Sequence, residues 1–507
     1  MIEKRSPVSG ELIGEFPIAD ADMVAEAVAR ARAAQPLWRA LPLMERLRRL
    51  EVLKRLILAR GEALAKRLSE DTGKPWVEAL AHEIMMVPVF LDYHRKFAPK
   101  VLRRKKAHTP LFLAGKTSYI EHFPRGVIGV ISPWNFPFQL AIIPIIQALT
   151  AGNAVVLKPS EITPGSGEMI RELFAELDLP EGLVQVVQGE GATGAALCRA
   201  DVDMIFFTGS VATGRKVMAA CAARPIPCEL ELGGKDAMIV CEDAPLERAV
   251  KGAVWGGFSN AGQACVSVER LFVVDAIYDR FVDAVQRETE ALRIGGPEEE
   301  ADIGPMIFKR QLGIVARHIR EAVTAGAKVL TGGAAVERPG QFFAPTLLTG
   351  VTPEMSVYRE ETFGPVLPVI RVRDEEEAIR LANDHVYGLN ASVWTRDVKR
   401  GLSIASRLEC GQVTVNDVFS SVANPGLPFG GVRSSGIGRY HGEEGLLTFT
   451  NTRGIMVDRA IFEAEPNWYP YRGKHHGVLE LMKGLIRKSP LQLTRGFLKM
   501  RKPKHED

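Results

Sequence analysis

The chain has 507 residues, 46% of them hydrophobic and 25% charged, with a net charge of +3. Its length exceeds the usual size of one domain and predicts two large ones, in a composition ordinary for a globular protein. The small net charge gives no reason to expect a nucleic-acid partner. The six cysteines (198, 221, 228, 241, 265 and 410) form no CxxC pair and no dense framework, which suits free thiols in a reducing compartment.

Residues 1–20 carry Pro7, Gly10 and Gly14 among short apolar pairs and read as an arm with turns. Met1-Ile-Glu-Lys-Arg runs into polar residues rather than an apolar core, and the longest apolar runs are broken by Pro or Gly short of a membrane span. A cytoplasmic protein is therefore expected. From Ala21 to about Leu68, apolar residues step by three or four (Val24, Val28, Ala31; then Leu47, Leu50, Leu53), predicting helix. Gly73-Lys74-Pro75 separates this from a second helical stretch, 76–97, and Thr117 to Phe123 alternates as a strand does. Residues 126–131 form a β-branched apolar run that reads as a buried parallel strand. Strands at 154–157, 184–187 and 204–207 then alternate with helices at 165–177 and 191–199, as in an open parallel sheet. Ligands on such sheets bind at the carboxyl ends of strands, just where Lys158 and Gly209 fall.

Residues 234–430 repeat the alternation, with strands at 237–240, 271–274, 327–330 and 366–370 and helices at 246–260, 278–291, 309–325 and 375–383. A second α/β domain follows, with a cleft between the two as the expected site. The tail, 459–507, differs: its eleven Lys and Arg against five Asp and Glu give +6, while the preceding chain sums to −3. Val478, Leu479, Leu481, Met482, Leu485 and Ile486 share one helical face, with Lys483, Arg487 and Lys488 off it. Such a helix packs on the body or a partner subunit, or makes a peripheral contact with an anionic membrane.

Two stretches carry candidate chemistry. Phe258-Ser-Asn-Ala-Gly262-Gln263-Ala-Cys265 offers a thiol, and Glu231-Leu-Gly233-Gly234-Lys235 a carboxylate; Glu231 and Cys265 stand 34 residues apart. A thiol attacks as its thiolate, and a nearby carboxylate can activate water. Taken singly, Cys265 reads equally as a small core residue, Asn135 as a turn residue and Glu231 as a surface acid.

Five further segments stand in order: Pro133-Trp134-Asn135-Phe136-Pro137, Lys158-Pro159-Ser160-Glu161, Phe207-Thr208-Gly209-Ser210, Glu360-Glu361-Thr362-Phe363-Gly364-Pro365 and Leu427-Pro428-Phe429-Gly430-Gly431. With these, the chain resembles the aldehyde dehydrogenase superfamily over nearly its whole length. The resemblance implies an α/β fold with a Rossmann-like cofactor domain (1–105 and 126–232), an α/β catalytic domain (233–430) and a small β oligomerisation element (106–125 and 446–458), leaving 459–507 as a basic tail. It implies an NAD(P)-dependent, non-acylating enzyme that oxidises an aldehyde to a carboxylic acid through a cysteine thiohemiacetal and thioester. Cys265 would be the nucleophile. The Asn135 amide and the Cys265 backbone N–H would hold the oxyanion, and Glu231 would deprotonate water. A CoA-acylating relative typically lacks that Glu.

For the cofactor, Gly209, Ser210 and Gly214 would open a helix toward the pyrophosphate. Lys158 and Glu161 would hold the adenosine ribose, Glu161 favouring NAD, with NADP the second choice. Glu361 would fix the nicotinamide ribose with Phe363 beside it, and Trp134 and Leu232 complete the set. Without its neighbours, Glu360-Glu361 reads as a charged loop. No metal site is suggested.

The chain departs from the common pattern at Pro144, where many members carry a Lys, which removes a partner for a proton relay to Glu443. Asn135 to Pro144 and Tyr440-His441-Gly442 resemble the class 3, fatty and aromatic aldehyde branch, whereas the long N-terminal arm and Phe207-Thr-Gly-Ser210 resemble other classes. By family position the tunnel is lined by Leu140, Ile143, Phe258, Val266 and Leu427, all apolar, with no Arg at 143 to pair a substrate carboxylate. Medium or long aliphatic or aromatic aldehydes are expected, with succinate semialdehyde or another semialdehyde as the alternative. A homodimer or homotetramer is implied. Outside this class stand a non-catalytic structural relative, which would lack the Cys and Glu, and a Cys-based acyl hydrolase, which needs a paired His that the sequence near Cys265 does not supply.

Overall fold

The computed structural model describes residues 1–113, 115–460, 463–465 and 467–501, with residue 501 described by its backbone alone. The chain forms two compact units, one from Met1–Val101 and Phe123–Asn451, the other from Leu102–His122 and the segment that begins at Thr452. Two sheets build the first unit.

The first sheet runs in the order Gly436–Ile437, Cys228–Glu231, Met204–Thr208, Val127–Ile131, Ala154–Lys158, Val184–Val186. All neighbours are parallel except Gly436–Ile437. Every residue of Val127–Ile131 and Ala154–Lys158 is buried, as expected of strands covered on both faces. From Val127–Ile131 the chain steps out to Val184–Val186, then returns to the other side at Met204–Thr208. The order thus reverses between Ile131 and Thr208, where a crevice opens at the carboxyl ends.

The second sheet runs Lys328–Thr331, Thr346–Thr349, Val366–Val372, Val268–Val274, Asp236–Val240, Asn390–Trp394, Gln412–Val415, parallel except for its first strand. Its central strands supply Ile239, Leu271, Phe272 and Val369 to a core closed by Phe281 and Val315 from the covering helices.

Several elements differ from expectation. The helix expected from 21 to 68 is two, Ala21–Ala40 and Leu43–Thr72, because Pro42 forces Leu41 into extended backbone (φ −70°, ψ 139°). The next helical stretch contains a π turn, Ala79–Ile84, before Met86–Val101. The strands Cys228–Glu231, Thr346–Thr349, Asn390–Trp394 and Gln412–Val415 were not expected. Each is only four or five residues long, too short for its pattern to stand out, even where Cys228–Glu231 and Gln412–Val415 alternate. Gly442–Thr448 is a helix where strand was expected from 446; Glu443 and Glu444 in its first turn suit the positive end of the helix dipole.

In the second unit, strands Lys105–Ala107, Lys116–Pro124 and Thr450–Asp458 form a sheet with Lys116–Pro124 central, and the helices His475–Ile486 and Pro490–Arg501 pack as a hairpin. Among the described residues, no helix is long and apolar enough to cross a membrane.

Candidate active site

The strand Cys228–Glu231 ends the first sheet and Asp236–Val240 begins the second, so Leu232-Gly233-Gly234-Lys235 carries the chain from one to the other. Lys235 is buried and pairs with Glu269 while donating to Thr362 Oγ1 at 3.1 Å. Glu269 in turn accepts from the backbone N–H groups of Thr362 (2.8 Å) and Phe363 (3.0 Å). Glu361 accepts from Gly234 N–H at 3.1 Å. Burial, with Glu269 nearby, pushes its carboxyl up to about 8. These contacts clamp the 360–365 loop onto the two glycines.

The loop that carries Cys265 leaves the helix Leu246–Phe258 through three successive left-handed residues, Asn260 (φ 52°), Ala261 (φ 54°) and Gly262 (φ 71°). Such backbone costs an L side chain about 1–2 kcal/mol per residue and persists only where surroundings enforce it. A Cβ at Gly262 would run into the Gly364 carbonyl, so only glycine fits that crossing. Gln263 is fully buried; its Nε2 donates to the Asn260 carbonyl (2.8 Å) and its Oε1 accepts from Ile307 N–H (2.8 Å). Its own carbonyl accepts from the Asn135 amide at 3.0 Å and the Asn260 amide at 3.1 Å. Asn135 is thereby tied to the loop two residues from Cys265.

Glu231 is buried at the carboxyl end of its strand, and neither carboxylate oxygen has a hydrogen-bond partner among the described residues. Burial, reinforced by Glu229 and opposed by Arg439, holds its carboxyl well above the usual range. Cys265 is half-buried. Burial first, then the charges of Asp236, Glu361 and Glu231, push its thiol upward. The Tyr440 hydroxyl, also buried without a partner, is raised by burial and by the same Glu231 and Cys265. Thiol, carboxyl and phenol thus share one poorly solvated space.

A set of residues that sequence reasoning missed supports this loop. In the π turn, Met85 N–H donates to the Leu80 carbonyl, five residues back (2.8 Å), so residues five apart come to one face. Glu78, just before it, accepts from Asn260 N–H (2.7 Å) and Ser259 Oγ (3.0 Å). Glu83 accepts from Phe138 N–H (2.8 Å) and Gln139 N–H (3.2 Å) and pairs with buried Lys74, whose ammonium donates to the Asn135 carbonyl (2.9 Å). Both acids act on backbone, so no local pattern marks them. Their spacing of five belongs to neither an α-helix nor a strand.

At the crevice of the first sheet, Lys158 Nζ and Glu161 Oε2 pair at 2.9 Å past the strand Ala154–Lys158. Ser210 caps the helix Val211–Ala222 by accepting from Thr213 N–H at 3.3 Å. A Cβ at Gly214 would stand 2.6 Å from Leu232 Cδ2, so that glycine lets helix and linker approach. Trp134 meets Phe363 edge-on at 5.3 Å. This donor set fits NAD: an ammonium and a carboxylate suit ribose hydroxyls, and a helix amino end suits a pyrophosphate.

A sequence profile described as the aldehyde dehydrogenase family matches residues 1–455. The chain belongs to that family. It is 46% identical over 482 residues to a 4,4'-diapolycopene aldehyde oxidase of Methylomonas sp, covering 95% of this chain and 90% of that one. It is 39% identical over 456 residues to a Mycolicibacterium smegmatis protein provisionally named succinate-semialdehyde dehydrogenase [NADP(+)], covering 89% and 88%. Among solved structures, a Mycobacterium tuberculosis aldehyde dehydrogenase complexed with NAD+ superposes with a TM-score of 0.86 at 39% identity, covering 90% of this chain and 94% of that one.

In this aldehyde dehydrogenase the residues expected in a tunnel differ in burial. Leu140 and Ile143 are buried on the helix Gln139–Ala151, and Val266 is buried beside Cys265. Phe258 belongs to the core of the second sheet, and Leu427 is 43% exposed. An aromatic group was not foreseen: His82 lies against Phe136 and Trp255, with Trp255 stacked on Phe419 at 4.4 Å. Burial, then Lys74, lowers His82 to about 4, so its ring is neutral. Among the described residues, no group of His, Cys, Asp and Glu is arranged to hold a metal.

Proposed function

We propose that this aldehyde dehydrogenase oxidises aldehydes with a medium or long aliphatic, or an aromatic, remainder to carboxylic acids through a covalent intermediate on Cys265. The observation that carries this reading is the Glu231 carboxylate, buried and unpartnered, whose charge reaches the Cys265 thiol. A carboxyl in so poorly solvated a place is, once ionised, a stronger base than one in water, which suits a group that accepts a proton in a reaction.

The Cys265 thiolate attacks the aldehyde carbon, and a C–S bond forms as the carbonyl oxygen becomes an oxyanion. The Asn135 amide and the Cys265 backbone N–H receive that charge. NAD, when bound, accepts the hydride that leaves this carbon, and the acyl group remains on sulfur as a thioester. Glu231 takes a proton from water, the hydroxyl adds to the acyl carbon and the C–S bond breaks, releasing the acid and the thiolate. Glu161 beside the ribose favours NAD, with NADP the weaker acceptor. Residues 1–105 and 126–232 serve the cofactor and 233–430 the chemistry. The enzyme acts in the cytoplasm as a homodimer or homotetramer through its three-stranded sheet.

Apolar substrates are supported by the approach to Asn135, where Phe136, Trp255, Phe419 and neutral His82 gather. Lys74, whose ammonium lies 4.5 Å from the Phe136 ring centre, is already held by Glu83 and the Asn135 carbonyl. The name of the Methylomonas relative agrees with this. The name of the Mycolicibacterium relative favours succinate semialdehyde as a second reading, but its carboxylate would be buried here without a partner. Steady-state kcat/KM for alkanals of rising length, benzaldehyde and succinate semialdehyde, with NAD and NADP, separates the two. The account expects decanal and benzaldehyde to exceed succinate semialdehyde at least about tenfold, as desolvating an unpaired carboxylate demands. It expects NAD to be preferred and Glu161→Ser to narrow that preference. Succinate semialdehyde as the best substrate, or NADP as the better acceptor, overturns it.

A further inference from the structure

The helices His475–Ile486 and Pro490–Arg501 touch through glycine. A Cβ at Gly484 would stand 2.7 Å from Leu493 N, and one at Gly496 would stand 2.6 Å from Leu481 N. The two backbones therefore nearly meet, and the contact needs few large side chains: Leu493 and Met500 are its buried members. Leu481 and Phe497 are half-buried, and the other apolar residues lie outside the contact. Val478, Met482 and Leu485, spaced as one helical stripe and flanked by Leu479 and Ile486, are all exposed, Ile486 at 74%. Leu491 and Leu498 are exposed on the second helix, and Trp468, Tyr469 and Tyr471 are exposed just before the first. An apolar face of this extent, left in water, marks an interaction surface.

Its charge selects the partner. From 467 to 500 there are seven Lys and Arg against one acid, Glu480, which pairs with Lys483 at 3.4 Å. At about 3.6 residues per turn, Lys483 borders the apolar face next to Leu479, and Arg487 follows it on the polar face. Each helix has 12 residues, too short to cross a bilayer. Short helices with an apolar face, a basic border and aromatic residues beside them lie in the headgroup region of a membrane.

We propose that this glycine-locked hairpin is a docking surface for an anionic lipid bilayer, its exposed apolar stripe entering the headgroup region and its basic border contacting lipid phosphates. The inference goes beyond the proposed reaction and does not depend on which aldehyde is oxidised.

Full-length protein is sedimented with phosphatidylcholine vesicles with and without about 30% phosphatidylglycerol, at low and high salt, since screening weakens such contacts. The wild type is expected to sediment only with the anionic vesicles and only at low salt. Met482→Glu with Ile486→Glu should weaken binding at least about tenfold, the worth of one such side chain leaving an apolar environment. Lys483→Gln with Arg487→Gln should weaken it about tenfold or more, each cation near anionic lipid contributing about fivefold. All four positions are exposed, so both variants should keep wild-type melting temperature, molecular mass and turnover of a short soluble aldehyde. Failure of the wild type to sediment, equal binding to neutral vesicles, or undiminished binding by both variants overturns the proposal. A changed oligomer mass in the Met482→Glu, Ile486→Glu variant also overturns it, because the face would then be a contact between copies of the chain.

Discussion

Glu361 shows how one residue can serve two states of the same site. Without a ligand its carboxyl is buried against Gly233 and Gly234 and held at about 8, chiefly by burial. A carboxyl raised in the folded state binds more protons there than in the unfolded chain, so its contribution to stability is complete below the ordinary value of 4.5 and lost as pH rises through about 8. The cofactor-free wild type should therefore lose melting temperature between pH 5 and 8.5 more steeply than Glu361→Gln, as read by calorimetry at each pH. Parallel curves for the two proteins would refute this. Cys265, Glu231 and Asn135 could be singled out from the sequence as candidates because each sits in a distinctive run of neighbours. Glu78, Glu83 and Lys74 could not, because they act on the backbone of those runs from positions at least 55 residues away in sequence.

At the level of elements, the loop from Ser259 to Cys265 has a shape that its sequence only partly announces. Gly262 signals a tight turn, but left-handed backbone at Asn260 and Ala261 is enforced by tertiary bonds from Glu78, Asn135 and Gln263. Gly262→Ala should combine left-handed strain with a collision against the Gly364 carbonyl. A loss of about 2–4 kcal/mol in stability is expected, from a strained backbone and a contact between two backbones that cannot relax by rotamer change. Turnover should fall at least about tenfold, since displacing the loop misplaces Cys265. Wild-type denaturation midpoint and turnover would show that the crossing is not needed. Long periodic helices and β-branched buried strands were legible by period alone. Short strands such as Cys228–Glu231 were not, since their two-sided burial is set by neighbouring strands distant in sequence.

At the scale of the molecule, two α/β sheets meet through the four residues Leu232 to Lys235, which places the carboxyl end of a strand from one beside the loop that opens a strand of the other. That arrangement brings the Glu231 carboxyl from the first sheet and the Cys265 thiol from the second into one poorly solvated space. The alternation of strands and helices made this class of fold legible; which strand ends would face each other came from their order in the sheets, which no local pattern encodes.

The central claim is that Cys265 forms the acyl bond and Glu231 ends it. Stopped-flow measurement of NADH on mixing Glu231→Gln enzyme with NAD and a good aldehyde tests it most directly. The account predicts a burst close to one NADH per active site, then steady turnover slower than wild type by about 100-fold or more, as loss of a general base implies. Cys265→Ser should give no burst at all. Steady turnover of Glu231→Gln at the wild-type rate, or a burst that survives in Cys265→Ser, would contradict it.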